Sequence, residues 1–238
     1  MMRAYMAFAF LGLFSMSAMA QNPVFCGEHK YDGEHRNEVS GYLQAGNNVI
    51  TGKFIGPAVT YTRHFTDRIS AEGGVEAPIG KGKFGVSAKG IYRLPVSRFN
   101  FYFSAKFLYN RYSDYKTNEY NGNVSATFES PYFDLTVGET LIRYSMLGTG
   151  YREPLTLTFG TGVNIRPRWN SWNIGLFVRN YDDFYFENWN INWGVRWNAN
   201  LKKRMKLYGE VNVRPAGSTS QLASRYESSL KVGLKYLW

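Results

Sequence analysis

Apolar and polar residues alternate along most of the chain beyond residue 36. The clearest segment is Glu187–Asn198, in which one parity is apolar and the other is mostly Asn, Gly or Arg. The apolar parity comprises Trp189, Ile191, Trp193, Val195 and Trp197. A period of two is that of a β-strand, whose successive side chains point to opposite faces. The segment therefore predicts a strand with one apolar and one polar face.

The same period recurs and predicts twelve strands. They cover residues 37–45, 54–65, 68–77, 83–94, 99–110, 122–129, 132–142, 155–165, 172–179, 187–198, 204–213 and 229–238. The connections between them alternate between tight turns and mostly longer loops, which is typical of outer-membrane barrels. An even number of strands places both ends of this region on the short-turn side.

A sheet with one apolar face crosses a lipid bilayer only if it closes on itself, because every backbone N–H and C=O must be paired within the protein. We therefore expect an all-β, closed antiparallel transmembrane β-barrel of about twelve strands. Its apolar face meets lipid and its polar face lines the lumen. The alternative is a soluble β-sandwich, in which two apolar faces meet in a dry core.

The N-terminus has the pattern of an export signal. Arg3 precedes an apolar run, and Ala18-Met19-Ala20 forms a small-x-small cleavage site. We therefore divide the chain into a signal peptide (1–20), a tail or plug (21–36) and the barrel (37–238). The tail carries His29 and His35 among carboxylates, a pattern that fits a polar tail better than a metal site.

Composition narrows the class further. Hydrophobic residues make up 44% of the chain, aromatic residues 17% and charged residues only 19%, which excludes a disordered chain or a coiled coil. No apolar run beyond the N-terminus reaches the length of a transmembrane helix. The pI of about 9.6 does not indicate nucleic-acid binding here, because exported barrels meet anionic lipopolysaccharide. Arg111, Arg143 and Arg152 in the long loops could contact its phosphates or be solvated charges.

The last eight residues resemble the C-terminal insertion signal of Gram-negative outer-membrane barrels. The matching positions are Gly233, Tyr236 and Trp238, with aromatic residues third from last and last. The resemblance implies location in the cell outer membrane, contact with outer-membrane lipid and lipopolysaccharide, and insertion by the barrel assembly machinery. It does not identify a function.

Parity assigns a set of charged residues to the lumen. The cations are Lys89, Arg93, Lys106, Arg166, Arg179, Arg196, Lys206, Lys231 and Lys235, and the anions are Glu72, Glu76, Glu129, Asp134 and Glu210. Nine cations and five anions leave a formal charge of +4, which favours anions in an open pore. Alternatively, these charges pair with one another and fill the interior.

The chain resembles the porins that take up acidic oligosaccharides in three respects. These are the twelve predicted strands, the chain length, and the arginines and lysines assigned to the lumen. This resemblance implies a narrow, anion-leaning diffusion channel for small or acidic solutes. The alternatives are a non-conducting structural or partner-binding barrel and an outer-membrane enzyme barrel. We expect no enzyme activity, because none of the three histidines, His29, His35 and His64, sits in an outward His-x-Ser arrangement. We also expect no cofactor and no metal.

Three places depart from the simple pattern. Glu139 falls on the lipid-facing parity, and a β-bulge near Gly138 would turn it inward. Strand register is ambiguous over residues 46–57. The predicted loops 110–121 and 180–186 carry aromatic residues that would stack on sugar rings or form an interfacial girdle: Tyr112, Tyr115, Tyr120, Tyr181, Phe184 and Tyr185.

Overall fold

The protein is described by a computed structural model. It describes residues 37–48, 52–77, 79, 83–96, 99–113, 116–146, 148–166, 171–182, 185–186, 191–216 and 225–238. The signal peptide and tail predicted over residues 1–36 lie outside the described residues. Within the described ranges, no helix has the length and apolar character needed to span a membrane.

Fifteen strands follow one another in the described residues. They are β1 (Asn37–Asn48), β2 (Gly52–His64), β3 (Ile69–Glu76), β4 (Lys83–Val96), β5 (Phe99–Tyr112), β6 (Thr117–Glu129), β7 (Phe133–Met146), β8 (Thr149–Arg152), β9 (Thr156–Asn164), β10 (Trp172–Arg179), β11 (Tyr181–Asp182), β12 (Tyr185–Phe186), β13 (Asn192–Lys202), β14 (Met205–Ala216) and β15 (Arg225–Leu237). Twelve of them form the barrel, because β8 only extends the hairpin after β7 and β11 pairs only with β12.

The twelve barrel strands form one closed antiparallel meander, which confirms the predicted fold. Each pairs with the next in sequence, and β15 pairs with β1 to complete the ring. At the seam, the backbone N–H of Asn37 donates to the carbonyl of Trp238 at 2.9 Å, and that of Trp238 donates back at 3.0 Å. These two residues mark the short-turn end of the barrel, and we call the other end the long-loop end.

Burial is inverted relative to a soluble protein. Apolar side chains on one parity of each strand are exposed, as at Val124, Leu176 and Val211. Polar and charged side chains on the other parity are buried. Because a hydrocarbon surround explains an exposed apolar belt on a closed barrel, this is the surface of an outer-membrane protein.

The strands run further toward the long-loop end than the pattern predicted. The loop expected over 110–121 is a tight connection between β5 and β6, with Tyr112 and Tyr120 on the strands themselves. Cross-strand pairing sustains this extension beyond the point where apolar alternation fades.

The predicted strand over 187–198 begins in the structure at Asn192, and residues 187–190 lie outside the described residues.

Two uncertain registers are resolved. Residues 46–48 and 52–57 pair continuously between β1 and β2. The prediction of a β-bulge near Gly138 is wrong, because β7 pairs without a register shift both with β6 and with β9 across this position. Glu139 is consequently exposed on the outward face, between Val124 and Leu157 of the neighbouring strands.

Candidate functional site in the barrel interior

Most of the charged residues assigned to the lumen by parity have side chains that are buried or half-buried on the inward face. The buried ones are Lys89, Lys106, Arg179, Arg196, Lys231, Lys235, Glu76, Glu129, Asp134 and Glu210, and the half-buried ones are Arg93, Lys206 and Glu72. Strand alternation suffices to place them, since each is paired with a residue of a neighbouring strand.

Arg166 is placed differently. It follows the last ladder residue of β9, Asn164, so the alternation of the strand no longer fixes its direction. Its side chain is exposed in the β9–β10 connection, and its guanidinium carbon lies 3.7 Å from the centroid of the Trp172 ring. Trp172 belongs to the outward face, so Arg166 contributes a cation–π contact at the short-turn end rather than a charge in the lumen.

The formal charge of the interior is smaller than expected. Among the residues whose side chains the structure describes, ten cations face inward: Lys83, Lys89, Arg93, Lys106, Arg179, Arg196, Lys206, Arg214, Lys231 and Lys235. Nine anions also lie inside, eight placed by strand alternation and Asp182 by the segment that follows β10: Glu38, Glu72, Glu76, Glu119, Glu129, Asp134, Asp182, Glu210 and Glu227. The excess is therefore +1 and not +4. The expectation failed because four inward carboxylates, at residues 38, 119, 182 and 227, were not counted.

Four charged side chains meet in one buried group, which we call the Asp182 cluster: Arg179, Asp182, Glu210 and Lys231. Lys231 Nζ donates to Asp182 Oδ1 at 2.9 Å, and Arg179 Nη2 lies 3.4 Å from the same oxygen. Arg179 also pairs with Glu210. All four side chains are at most 3% exposed. Two cations and two carboxylates thus neutralise one another across the interior.

The segment Asn180–Asp182 is fastened to the barrel wall after β10 ends. The side-chain amide of Asn180 donates to the carbonyl of Leu157 at 2.7 Å and accepts from the backbone N–H of Phe159 at 2.8 Å. Both groups belong to β9, so the Asn side chain replaces a missing strand neighbour. This attachment holds Tyr181 and Asp182 inside the barrel, where both are buried.

A second ion pair lies on the wall formed by β7, β9, β10 and β13. Arg196 Nη2 donates to Asp134 Oδ2 at 2.5 Å and lies 3.3 Å from Asn164 Oδ1. Two glycines make room for it, since a Cβ on Gly162 would lie 2.9 Å from Asp134 Oδ2 and one on Gly175 would lie 3.2 Å from Arg196 Nε. The absence of a side chain at each of these two glycines therefore leaves the space that the Arg196 guanidinium occupies.

Apolar and aromatic side chains also occupy the interior. Tyr42, Ala58, Leu108, Ile142, Tyr181 and Tyr208 form one buried cluster. Lys231 Nζ lies 4.7 Å from the centroid of Tyr42, and Arg179 Cζ lies 4.3 Å from that of Phe177. The Asp182 cluster is thus in contact with aromatic rings. At the height of this cluster, side chains fill the barrel interior instead of lining an open lumen.

Inward carboxylates on the opposite wall accept from neutral donors. Glu119 accepts from Asn121 Nδ2 at 2.6 Å and from Tyr112 Oη at 2.9 Å. Glu129 accepts from Tyr102 Oη at 2.8 Å. Such hydrogen bonds to a charged acceptor are stronger than neutral ones, so they hold these carboxylates on the wall.

Cations face cations at two places in the strand ladders. Lys89 of β4 is directly opposite Lys106 of β5, and Lys206 of β14 is directly opposite Lys235 of β15. Lys235 also pairs with Glu38. Directly opposed like charges destabilise a sheet. Lys89 also faces Glu72 of β3 across the neighbouring ladder. Each lysine pair therefore adjoins one carboxylate and keeps a formal excess of one positive charge.

Sequence reasoning missed Asp182 and the inward aromatic residues. Asp182 was assigned to a loop, since nothing in the local pattern indicates that the segment returns into the barrel. Tyr208 stood on the polar parity beside Lys206 and Glu210, which was a usable signal that an aromatic ring faces inward. Tyr115 and Phe184 lie outside the described residues.

The described part of the chain gives little support to a metal site or to a catalytic histidine. No group of three or more His, Cys, Asp or Glu residues there is arranged to hold a metal ion. His64 is the last residue of β2, at the short-turn end, while His29 and His35 are outside the described residues. What the arrangement offers is charge and hydrogen bonding along the inside of a closed barrel.

Comparison with solved structures assigns the same fold. A KdgM porin in complex with disordered oligogalacturonate is similar over 84% of this chain and 99% of its own, with a TM-score of 0.56 and 13% identity. Omp33 of Acinetobacter baumannii has a TM-score of 0.52 and 13% identity, over 86% of this chain and 98% of its own. An outer-membrane channel of Pseudomonas putida F1 has a TM-score of 0.52 and 9% identity, over 94% of this chain and 98% of its own.

No protein-family model and no curated protein sequence matches the chain. The similarity to solved structures therefore concerns the fold. The chain is an outer-membrane β-barrel with the architecture of porins and channels.

Proposed function

We propose that the protein is a narrow outer-membrane channel for small anionic solutes, held closed in the conformation described by the Asp182 cluster. The observation that carries the proposal is the inward face of the barrel, where polar and charged side chains continue along the strands. A closed barrel built only as a membrane anchor has no need of so many buried charges, each of which costs desolvation free energy.

The two opposed lysine pairs give the proposed channel its preference for anions. Lys89 and Lys106 face each other near the middle of β4 and β5. Glu72 of β3 faces Lys89 on its other side, so the three side chains keep a formal excess of one positive charge. This excess would attract an anionic solute, and low-dielectric walls strengthen that attraction. The preference is local, because the net interior charge is close to zero.

The fold comparisons support the same class of function. One of the similar structures is a porin bound to oligogalacturonate, and another is an outer-membrane channel. At 9–13% identity these comparisons support a channel without transferring a substrate. We therefore name the solute only by charge and size.

Recording from planar bilayers across a salt gradient tests the proposal. The wild-type protein is expected to open in discrete steps with a reversal potential displaced toward that of the anion. The variant Lys89→Gln/Lys106→Gln should conduct with a smaller displacement. The control Lys53→Gln removes an exposed lysine from the outward parity of β2 and should behave as wild type. An unchanged reversal potential in the double variant would reject the anion site.

The second candidate is a non-conducting barrel that serves as a structural or partner-binding component of the envelope. It is favoured by the complete burial of Arg179, Glu210 and Lys231, none of which exceeds 1% exposure. A folded protein that never conducts, in the wild type or after removal of Asp182, would select this alternative. We assign no catalytic activity and no cofactor to either candidate.

A further inference from the structure

The outward face near the long-loop end carries three arginines where β5 to β8 meet, and we call them the outer arginine patch: Arg111, Arg143 and Arg152. All three are exposed. Arg143 of β7 is directly opposite Arg152 of β8, so the two guanidinium groups share one face of the sheet. Neither forms an ion pair or hydrogen bond with any residue in the described ranges.

A register shift brings Arg152 to this position. β7 pairs Thr140 with Thr156 of β9 but Arg143 with Arg152 of β8, so one extra residue lies on the second strand between the two pairs. In β9 the even-numbered residues face inward. Without the shift, Arg152 would also face inward, because a slip of one residue exchanges the two faces of a strand. The irregularity therefore places a second arginine beside the first.

Directly opposed like charges cost stability, and here no described carboxylate compensates them. Glu139 lies on the same outward parity of β7, four residues from Arg143, and the two are not paired. An anion bound between Arg143 and Arg152 would remove this cost, and a phosphate accepts bidentate hydrogen bonds from guanidinium groups.

The surroundings of the patch indicate what kind of molecule carries that phosphate. In the same cross-strand row lie Tyr109 and Tyr120, whose ring centroids are 5.3 Å apart. Tyr109 Oη donates to Asn118 Oδ1 at 2.9 Å, which fixes the ring on the outward face. Aromatic residues of this kind mark the boundary between headgroups and acyl chains. Toward the barrel middle, the outward face continues with Phe107 and Val124, which are exposed.

We propose that the outer arginine patch binds the phosphate groups of a phosphorylated glycolipid of the outer leaflet. The arginines meet the headgroup, the tyrosines meet its sugar rings, and the exposed apolar side chains below them meet its acyl chains. A free phosphate would use only the first of these contacts. The long-loop end of an outer-membrane barrel faces the outer leaflet, where such a lipid resides.

The test measures binding of diphosphoryl lipid A to the purified full-length protein in detergent micelles, by native mass spectrometry. Loss of two charge-assisted contacts in Arg143→Gln/Arg152→Gln should weaken binding by about tenfold or more. The control Lys53→Gln removes an exposed cation from the outward parity of β2 and should bind as wild type. Arg111→Gln, at the edge of the patch, should have a smaller effect of about threefold.

Two further probes separate the sources of phosphate. The same glycolipid with both phosphates removed should bind the wild type and the double variant equally weakly. Inorganic phosphate should displace the lipid only at far higher concentration than the lipid itself. Equal affinity of diphosphoryl lipid A for the wild type and the double variant would overturn the proposal. Displacement by inorganic phosphate at matched concentration would overturn the assignment to a lipid.

Discussion

The two faces of each barrel strand follow opposite rules. Most of the outward face is apolar and exposed, and that part is specified by its hydrophobicity and its depth in the bilayer. The inward face is polar and buried, and it is specified by particular partners, as in the pair of Arg196 with Asp134. Substitutions on the outward face therefore act through solvation by lipid. Substitutions on the inward face act through the loss of one partner.

The largest effect is expected from leaving a buried inward charge without its partner. Asp134→Asn removes the carboxylate from Arg196, whose side chain is 4% exposed. If the interior is filled, the free energy of unfolding should fall by about 3–5 kcal/mol. Urea titration of the protein in lipid vesicles measures this change. A loss below about 1 kcal/mol, as for solvated ion pairs, would show that water fills the lumen at this level.

A charge in the middle of the outward face should cost less, about 2–4 kcal/mol for a lysine at the bilayer midplane. Val211→Lys places a lysine between Val195 and Leu230 of the neighbouring strands. The control is Leu201→Lys, at an exposed residue of the short-turn end, where the expected cost is about 0–1 kcal/mol. The folded fraction in vesicles measures both. Equal costs at the two positions would contradict the assigned depth of the outward face.

A small addition of volume to the inward face should have the smallest effect. A Cβ on Gly233 would lie 2.6 Å from the Cβ of Tyr42 and 2.6 Å from Cζ of Tyr208. Gly233→Ala should therefore destabilise the barrel by about 1–3 kcal/mol through overpacking. Gly90→Ala is the control, because no atom lies within 4 Å of the added carbon. Equal thermal transition temperatures for the two variants would indicate that the interior is loosely packed here.

Alternation along the chain sufficed to predict the barrel because it is a local property of each strand. It also placed Arg179, Arg196 and Lys231 on the inward face. It could not predict the Asp182 cluster, because that cluster joins residues on β10, β11, β14 and β15. Those contacts depend on closure of the sheet and on the return of Asn180–Asp182 into the barrel. Parity also failed at Arg166, where a turn ends the regular pairing.

The insertion signal at Gly233, Tyr236 and Trp238 remains a prediction about assembly. The structure adds that Tyr236 and Trp238 are exposed and that their rings lie 5.9 Å apart. Gly233 belongs to the opposite, inward parity, where it leaves space for Tyr42 and Tyr208. The three positions thus combine an outward aromatic pair with an inward packing requirement.

Closure of the barrel interior is proposed to depend on the Asp182 cluster. Single-channel recording of wild type and Asp182→Asn under identical conditions tests it most directly. The substitution removes the carboxylate that accepts from Lys231 while Asn180 still holds the segment to β9. Glu38→Gln is the control, since it breaks the ion pair with Lys235 at the short-turn end. We predict a longer open time for Asp182→Asn than for wild type and the control. Identical open times in all three proteins would contradict closure by this cluster.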